Sequence, residues 1–142
     1  MPIPLQTYLK TTFILALGGV LFSGYLSAIK LFTGTCAFNE SCPTFFGYPA
    51  CWYGFGMFAA MCVIAVLALR DTITHRIAPK LIAGISLLGI LFAGQYVWQE
   101  IALWLGPTAK TGYGLVFPIC VYGLIFYIII FILSLIALKS KK

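Results

Sequence analysis

The feature that most limits this chain is a set of four long apolar stretches within 142 residues. They run from about Thr12 to Phe32, Tyr48 to Leu69, Lys80 to Leu105 and Tyr113 to Leu138. Each is long enough to cross a hydrocarbon core about 30 Å thick, which takes roughly 20 helical residues. Barrel strands would read as short alternating segments, whereas Tyr127 to Leu133 is apolar without alternation. Backbone in lipid must satisfy its own hydrogen bonds, so helices are the economical answer. Composition points the same way. Only 8% of the residues are charged, where a soluble domain has about a quarter. A small soluble domain has too little interior to hide 62% hydrophobic residues. Aromatic residues at 16% exclude disorder. The expectation is an all-α polytopic membrane protein, a single transmembrane domain over 1–142 built as a four-helix bundle in the lipid bilayer.

The charges are sorted. Lys10, Arg70, Asp71, Arg76, Lys80, Lys139, Lys141 and Lys142 fall on one side and sum to +6. Lys30 and Lys110 on the other side are balanced by Glu40 and Glu100. The positive-inside rule then places both termini and the 70–80 loop in the cytoplasm, with 33–47 and 106–112 outside. Net charge therefore reads as a topology signal and calls for no nucleic acid; Lys139-Ser-Lys-Lys142 adds attraction to anionic lipid. No small-x-small site closes the first apolar run, so it is expected to be a span and not a cleaved leader.

The two hairpins read as copies. Leu17-Gly-Gly-Val-Leu-Phe-Ser-Gly24 aligns 70 residues on with Leu87-Leu-Gly-Ile-Leu-Phe-Ala-Gly94, identical at five of eight positions. Pro49-Ala-Cys51-Trp-Tyr53-Gly54 aligns at an offset of 69 with Pro118-Ile-Cys120-Val-Tyr122-Gly123. Repeat 1 spans about 12–69 and repeat 2 about 80–138. Both enter the membrane in the same direction, as parallel repeats about an axis along the membrane normal do. Lys30 and Glu100 take matching positions, either as separate snorkelling residues or as an ion pair across the repeats. Small residues four apart, such as Gly19 and Ser23 or Gly89 and Ala93, read as close helix packing.

Four of the five cysteines fall on the less charged side. Cys36 and Cys42 lie in the first outer loop, and Cys51 and Cys120 begin the second and fourth spans. Cys62 is deeper and reads as a small buried apolar residue. Outside the membrane disulfides persist, and four cysteines pair in three ways. The repeat suggests Cys51 with Cys120 and leaves Cys36 with Cys42 as a short loop disulfide. These bonds are either structural staples or, where a thiolate can attack an accessible disulfide, an electron relay. No His/Cys cluster points to a metal, and His75 lies in the opposite loop.

The run Leu21-Phe-Ser23-Gly-Tyr25-Leu26, then Cys36, Cys42, Phe46-Gly47-Tyr-Pro49 and Gly54, resembles the start of the vitamin K epoxide reductase family. The functionally similar DsbB family has the same kind of membrane enzyme. The resemblance implies four or five helices and a bacterial or archaeal cell membrane. It implies that electrons pass from a secreted thioredoxin-like protein to a quinone. Cys36 and Cys42 would match the shuttle pair, and Cys120 the second cysteine of the Cys-x-x-Cys beside the quinone. Phe117 stands where the first cysteine of that pair belongs, so Cys51 would have to substitute.

Gln95 and Gln99, i and i+4 on the third span, could hydrogen-bond a quinone carbonyl or join neighbouring helices. Tyr53 and Tyr122, with Tyr25, Trp98 and Trp104, belong to the outer aromatic belt. A pocket between the repeats, roofed by Cys51 and Cys120, is the default site. Two readings follow. One is a thiol-disulfide oxidoreductase relaying electrons to a quinone. The other is a non-catalytic, disulfide-stapled scaffold or accessory subunit, which Phe117 favours. Small-solute transport fits less well, since no charge sits at the membrane midplane.

Overall fold

A computed structural model describes residues 3–33, 44–105 and 119–140. Four helices make up almost all of it: α1 (Leu5–Thr33), α2 (Ala50–Leu69), α3 (Ile77–Leu105) and α4 (Ile119–Ser140). The fold is an all-α bundle, and all four helices are long and apolar enough to cross a membrane, with mean hydropathy from 1.8 to 2.8. α1 starts at Leu5, well before the apolar stretch that announces it, because Leu5 to Thr12 packs as amphipathic helix and buries Tyr8, Leu9 and Thr12. A two-residue ladder precedes α2: β1 (Thr44–Phe45) pairs antiparallel with β2 (Tyr48–Pro49). Its turn residues, Phe46 and Gly47, both have positive φ, as a tight hairpin turn matching strand twist requires.

α1 packs on α2 and α3 on α4, and the two hairpins join through α1 against α4 and α2 against α3. Neighbours are antiparallel throughout. Phe13 meets Cys62 and Gly24 meets Phe55 across the first hairpin, while Tyr8 meets Ser134 and Phe22 meets Tyr122 across one joint. Both termini of the described chain therefore lie at the end carrying the 70–76 connection. The starts of α2 and α4 lie at the other end. Where α2 stops, Asp71 adopts a left-handed φ of 58°. The Asp71 and Thr72 amides bond the Ala68 and Leu67 carbonyls at 3.2 and 2.9 Å, a Schellman closure.

The interior sets many small residues around a few large ones, Tyr8, Phe58, Met61, Tyr127 and Ile130 among them, and large aliphatic side chains cover much of the exterior. Ala16, Gly19, Ser23, Ala65, Ala68, Ala78, Ala93 and Ala137 are buried. Ile14, Leu21, Leu88 and Leu91 point outward, each more than 60% exposed. In water that arrangement would waste the apolar surface. In lipid, where association rests on close packing instead of on the hydrophobic effect, it is the favourable one.

The offset that relates the two halves of the sequence also relates their burial. Every buried residue of α1 (Tyr8, Leu9, Thr12, Ala16, Gly19, Ser23 and Leu26) has a buried residue 70 positions on in α3. Phe58, Met61, Ala65 and Ala68 of α2 have buried counterparts 69 positions on, at Tyr127, Ile130, Ser134 and Ala137 of α4. The lipid-facing side follows suit: Leu21 and Leu91 are 66% and 64% exposed.

At the centre, Phe58 of α2 and Tyr127 of α4 stack face to face across the diagonal of the bundle, centroids 4.4 Å apart and rings within 8° of parallel. Each ring rests on a glycine of its own hairpin. A Cβ on Gly19 would collide with the Phe58 ring, and one on Gly89 would come within 2.5 Å of Tyr127. Nearer the terminal end, one joint between hairpins holds a buried hydrogen bond, Tyr8 hydroxyl to Ser134 hydroxyl at 2.7 Å. The matching positions at the other joint are Ala78 and Ala65, both fully buried.

Two outcomes are expected. Gly19→Val and Gly89→Val should each destabilise the purified protein by about 1–3 kcal/mol through overpacking. Gly18→Ala, where a Cβ meets no atom within 4 Å, should leave the thermal midpoint in detergent unchanged. In a double-mutant cycle, Tyr8→Phe and Ser134→Ala should couple by about 0.6 kcal/mol, the mean for hydrogen bonds between membrane helices.

Candidate functional site

The residues singled out by sequence sort into three groups. Cys36 and Cys42 lie outside the described residues. Cys51 and Cys120 are the second residues of α2 and α4, at the same end of the bundle on two parallel, diagonal helices. Their side chains, and those of Glu100 and Trp104, lie outside the described part. Gln95 and Gln99 are exposed on α3, flanking Trp98, which is 73% exposed. Their helical stripe differs from the buried one through Gly89, Ala93 and Tyr96.

Tyr53 and Tyr122 are half-buried and face the two joints between hairpins. Tyr53 meets Phe92 of α3 at a centroid distance of 5.6 Å, and Tyr122 meets Phe22 of α1 at 6.2 Å. These pairs are equivalents under the repeat offset. Phe92 also meets Tyr96 edge-on at 5.2 Å. The aromatic residues on this half of the bundle thus close its flanks, while the Phe58–Tyr127 stack closes its centre.

Cys51 precedes Phe58 by seven residues, and Cys120 precedes Tyr127 by seven. Seven residues are two helical turns, a rise of about 10 Å with only about 20° of drift. Each cysteine position therefore shares a helical stripe with the ring that reaches the centre. Between them on that stripe stands a glycine: Gly54 in α2 and Gly123 in α4. A Cβ on Gly123 would meet no atom within 4 Å, and one on Gly54 would meet only the Tyr127 hydroxyl at 3.7 Å. That hydroxyl donates to the Gly54 carbonyl at 3.3 Å. Moving from the centre toward the cysteine end, the order is an aromatic floor, a level bordered by glycine backbone, then the two cysteine positions. Its repeat-1 equivalent, Phe58, carries no hydroxyl, so Tyr127 brings the one polar side-chain atom of the stacked pair.

Below the stack the core is packed with Ala16, Met61, Ile82 and Ile130. The residues that sequence reading passed over are Phe58, Tyr127, Gly123, Phe22 and Phe92. A signal for them was present, since extending the alignment around Cys51 and Cys120 by seven residues pairs Phe58 with Tyr127.

Cys62 is separate from this arrangement. It is a half-buried free thiol whose Sγ–H points to the Phe13 carbonyl at 3.9 Å. With Phe13, Val63, Val66 and Leu67 it lines an apolar groove of about 200 Å³ on the outer side of the first hairpin. Among the described residues no three potential metal ligands come together.

No protein-family model, curated protein or solved structure matches the chain. The fold and site define its class: a polytopic helical membrane protein whose two like hairpins meet at an aromatic stack.

Cys62→Ala should leave the thermal stability within about 1 kcal/mol of the parent, as volume-tolerant changes at a half-buried apolar site do. It should also leave any disulfide exchange at the other four cysteines unaltered. Thermal unfolding in detergent, followed by circular dichroism, checks the stability.

Proposed function

We propose that this protein is a membrane thiol-disulfide oxidoreductase that carries electrons from a secreted thioredoxin-like dithiol to a quinone. The observation that carries this reading is the shared stripe Cys-x-x-Gly-x-x-x-aromatic on α2 and α4, which converges on the Phe58–Tyr127 stack. Cys51 and Cys120 stand two turns along those same stripes, at one end of two parallel helices. The glycine level between supplies what a planar ring needs, close approach of backbone without side chains, above an aromatic floor.

The chemistry balances in three exchanges. The partner's dithiol reduces a Cys36–Cys42 disulfide and leaves as a disulfide. The Cys36 and Cys42 thiols then reduce a Cys51–Cys120 disulfide. Finally the Cys51 and Cys120 thiols re-form their bond, passing two electrons and two protons to the quinone. Attack requires a thiolate, and the first turn of a helix favours an anion through its free amides and macrodipole. The Tyr127 hydroxyl, beneath this level, donates to the Gly54 carbonyl and would have to exchange that acceptor for a quinone oxygen to bind one. Gln95 and Gln99, exposed on α3, are available for contacts outside the bundle instead. In this reading both termini are cytoplasmic and the cysteine-bearing end faces outward, where disulfides persist.

A second reading is a disulfide-stapled scaffold or accessory subunit. Phe117, in place of a second cysteine beside Cys120, is the observation in its favour.

The test is turnover in proteoliposomes supplied with reduced thioredoxin and a short-chain benzoquinone, followed by quinone absorbance. Cys51→Ser and Cys120→Ser are each expected to abolish it. Gly123→Val, which fills open space, should keep the helical spectrum while raising the quinone KM about tenfold or more. If the four outer cysteines stay inert to both thioredoxin and quinone in folded protein, the relay is wrong and the scaffold reading stands.

A further inference from the structure

The end of the bundle opposite the cysteines carries a ring of cations that the redox reading does not use. Lys10 is on α1, Arg70 is one residue beyond α2, Lys80 is on α3 and Lys139 is on α4, all exposed. There is one cation per helix, and the repeat offsets relate them: Lys10 to Lys80 by 70, Arg70 to Lys139 by 69. Each stands one or two residues past a buried member of the packed cluster at this end, namely Leu9, Ala68, Ala78 and Ala137. The cations therefore lie at one level around the tightly packed helix ends.

The protein supplies little to neutralise them. The chain has three acidic residues in all, and among the described residues only Asp71 lies at this end. Its carboxylate is already held by His75 at 2.7 Å. Lys10, Arg70, Lys80 and Lys139 form no ion pair among the described residues. Adjacent packed helices are about 8–10 Å apart, comparable to the Debye length of about 8 Å in physiological salt. Four like charges at one level raise the local positive potential and favour an anion beside them. At this depth of a bilayer the available anions are phospholipid headgroups. With 29 residues, α1 is about 43 Å long, enough to span the hydrocarbon and still hold Lys10 at headgroup level.

We propose that this ring is a binding collar for anionic phospholipid headgroups, with one site at each joint between the hairpins. Lys10 and Lys139 stand on the neighbouring helices α1 and α4, while Arg70 stands just beyond α2 and Lys80 on its neighbour α3. Arg76, exposed in the connection before α3, adds charge to the second site. Its counterpart 70 residues earlier is the uncharged Gln6, while Lys141 and Lys142 follow Lys139, so the sequence adds positive charge beside both pairs.

The test uses the full chain, purified and reconstituted in nanodiscs of phosphatidylcholine alone or with about one quarter phosphatidylglycerol. The readouts are the thermal midpoint and the anionic lipid retained on re-extraction. Anionic lipid should raise the midpoint, and the gain should vanish in about 1 M salt. Arg70→Gln with Lys80→Gln, and separately Lys10→Gln with Lys139→Gln, should each lower retention, every removed charge costing about fivefold. Both leaflets carry the lipid, so an inverted variant still meets it, and a helical spectrum shows that it folds. Equal midpoints in the two lipids, or retention unchanged in the fourfold Gln variant, would overturn the proposal. An equal gain from inorganic phosphate in pure phosphatidylcholine would also overturn it, by making free phosphate the ligand.

Discussion

The contact on which the bundle depends is the face-to-face pair of Phe58 and Tyr127, each seated on a glycine. A helix bundle in lipid gains nothing from hiding apolar surface, so its helices must be held by shape and by a few polar contacts. Two aromatic rings stacked at 4.4 Å on the diagonal fill the centre that four small-residue helices would otherwise leave empty. Gly19 and Gly89 make the arrangement possible by letting each ring lie flat on the neighbouring helix. From that fixed point the rest follows by register. Tyr53 and Tyr122 close the joints on one side, and Met61 and Ile130 fill the next layer on the other.

Where the two halves differ, the difference is chemical. Tyr127 brings a hydroxyl to a level where Phe58 has none, and that hydroxyl reaches the Gly54 carbonyl of the opposite hairpin. Tyr8 and Ser134 hydrogen-bond across one joint, while Ala78 and Ala65 occupy the same places at the other. One joint is therefore tied by a polar contact and the other only by packing. Lys10 with Lys80 and Arg70 with Lys139 do repeat, and the two ends of the bundle carry distinct chemistry: positive charge at one, cysteines at the other.

Much of the fold was legible beforehand. Apolar runs as long as Ile119 to Leu138 admit one structure in lipid, and the helix ends fell near Thr33, Leu69 and Leu105 as the sequence suggested. The start of α1 did not, since Leu5 to Thr12 contains Gln6 and Lys10 and enters the bundle only through the packing of Tyr8 and Leu9. The candidate site was legible in part. Cys51, Cys120, Tyr53 and Tyr122 drew notice because reactive and aromatic residues repeat in order. Gln95 and Gln99 drew notice as polar residues in an apolar span, yet they are exposed. Hydropathy and i, i+4 spacing place them on a common face without telling which way that face turns.

That last ambiguity has a physical origin. Helices that are apolar all round carry no amphipathic signal to distinguish inside from outside. Composition, charge sorting and the offset of about 70 residues sufficed for the number of helices, their alternation and their likeness in pairs, because lipid solvation and backbone hydrogen bonding act on each segment alone. Which stripe of each helix turns inward depends on how small and large residues fit between neighbours. Only the packed bundle, with two rings meeting over two glycines, settles that choice.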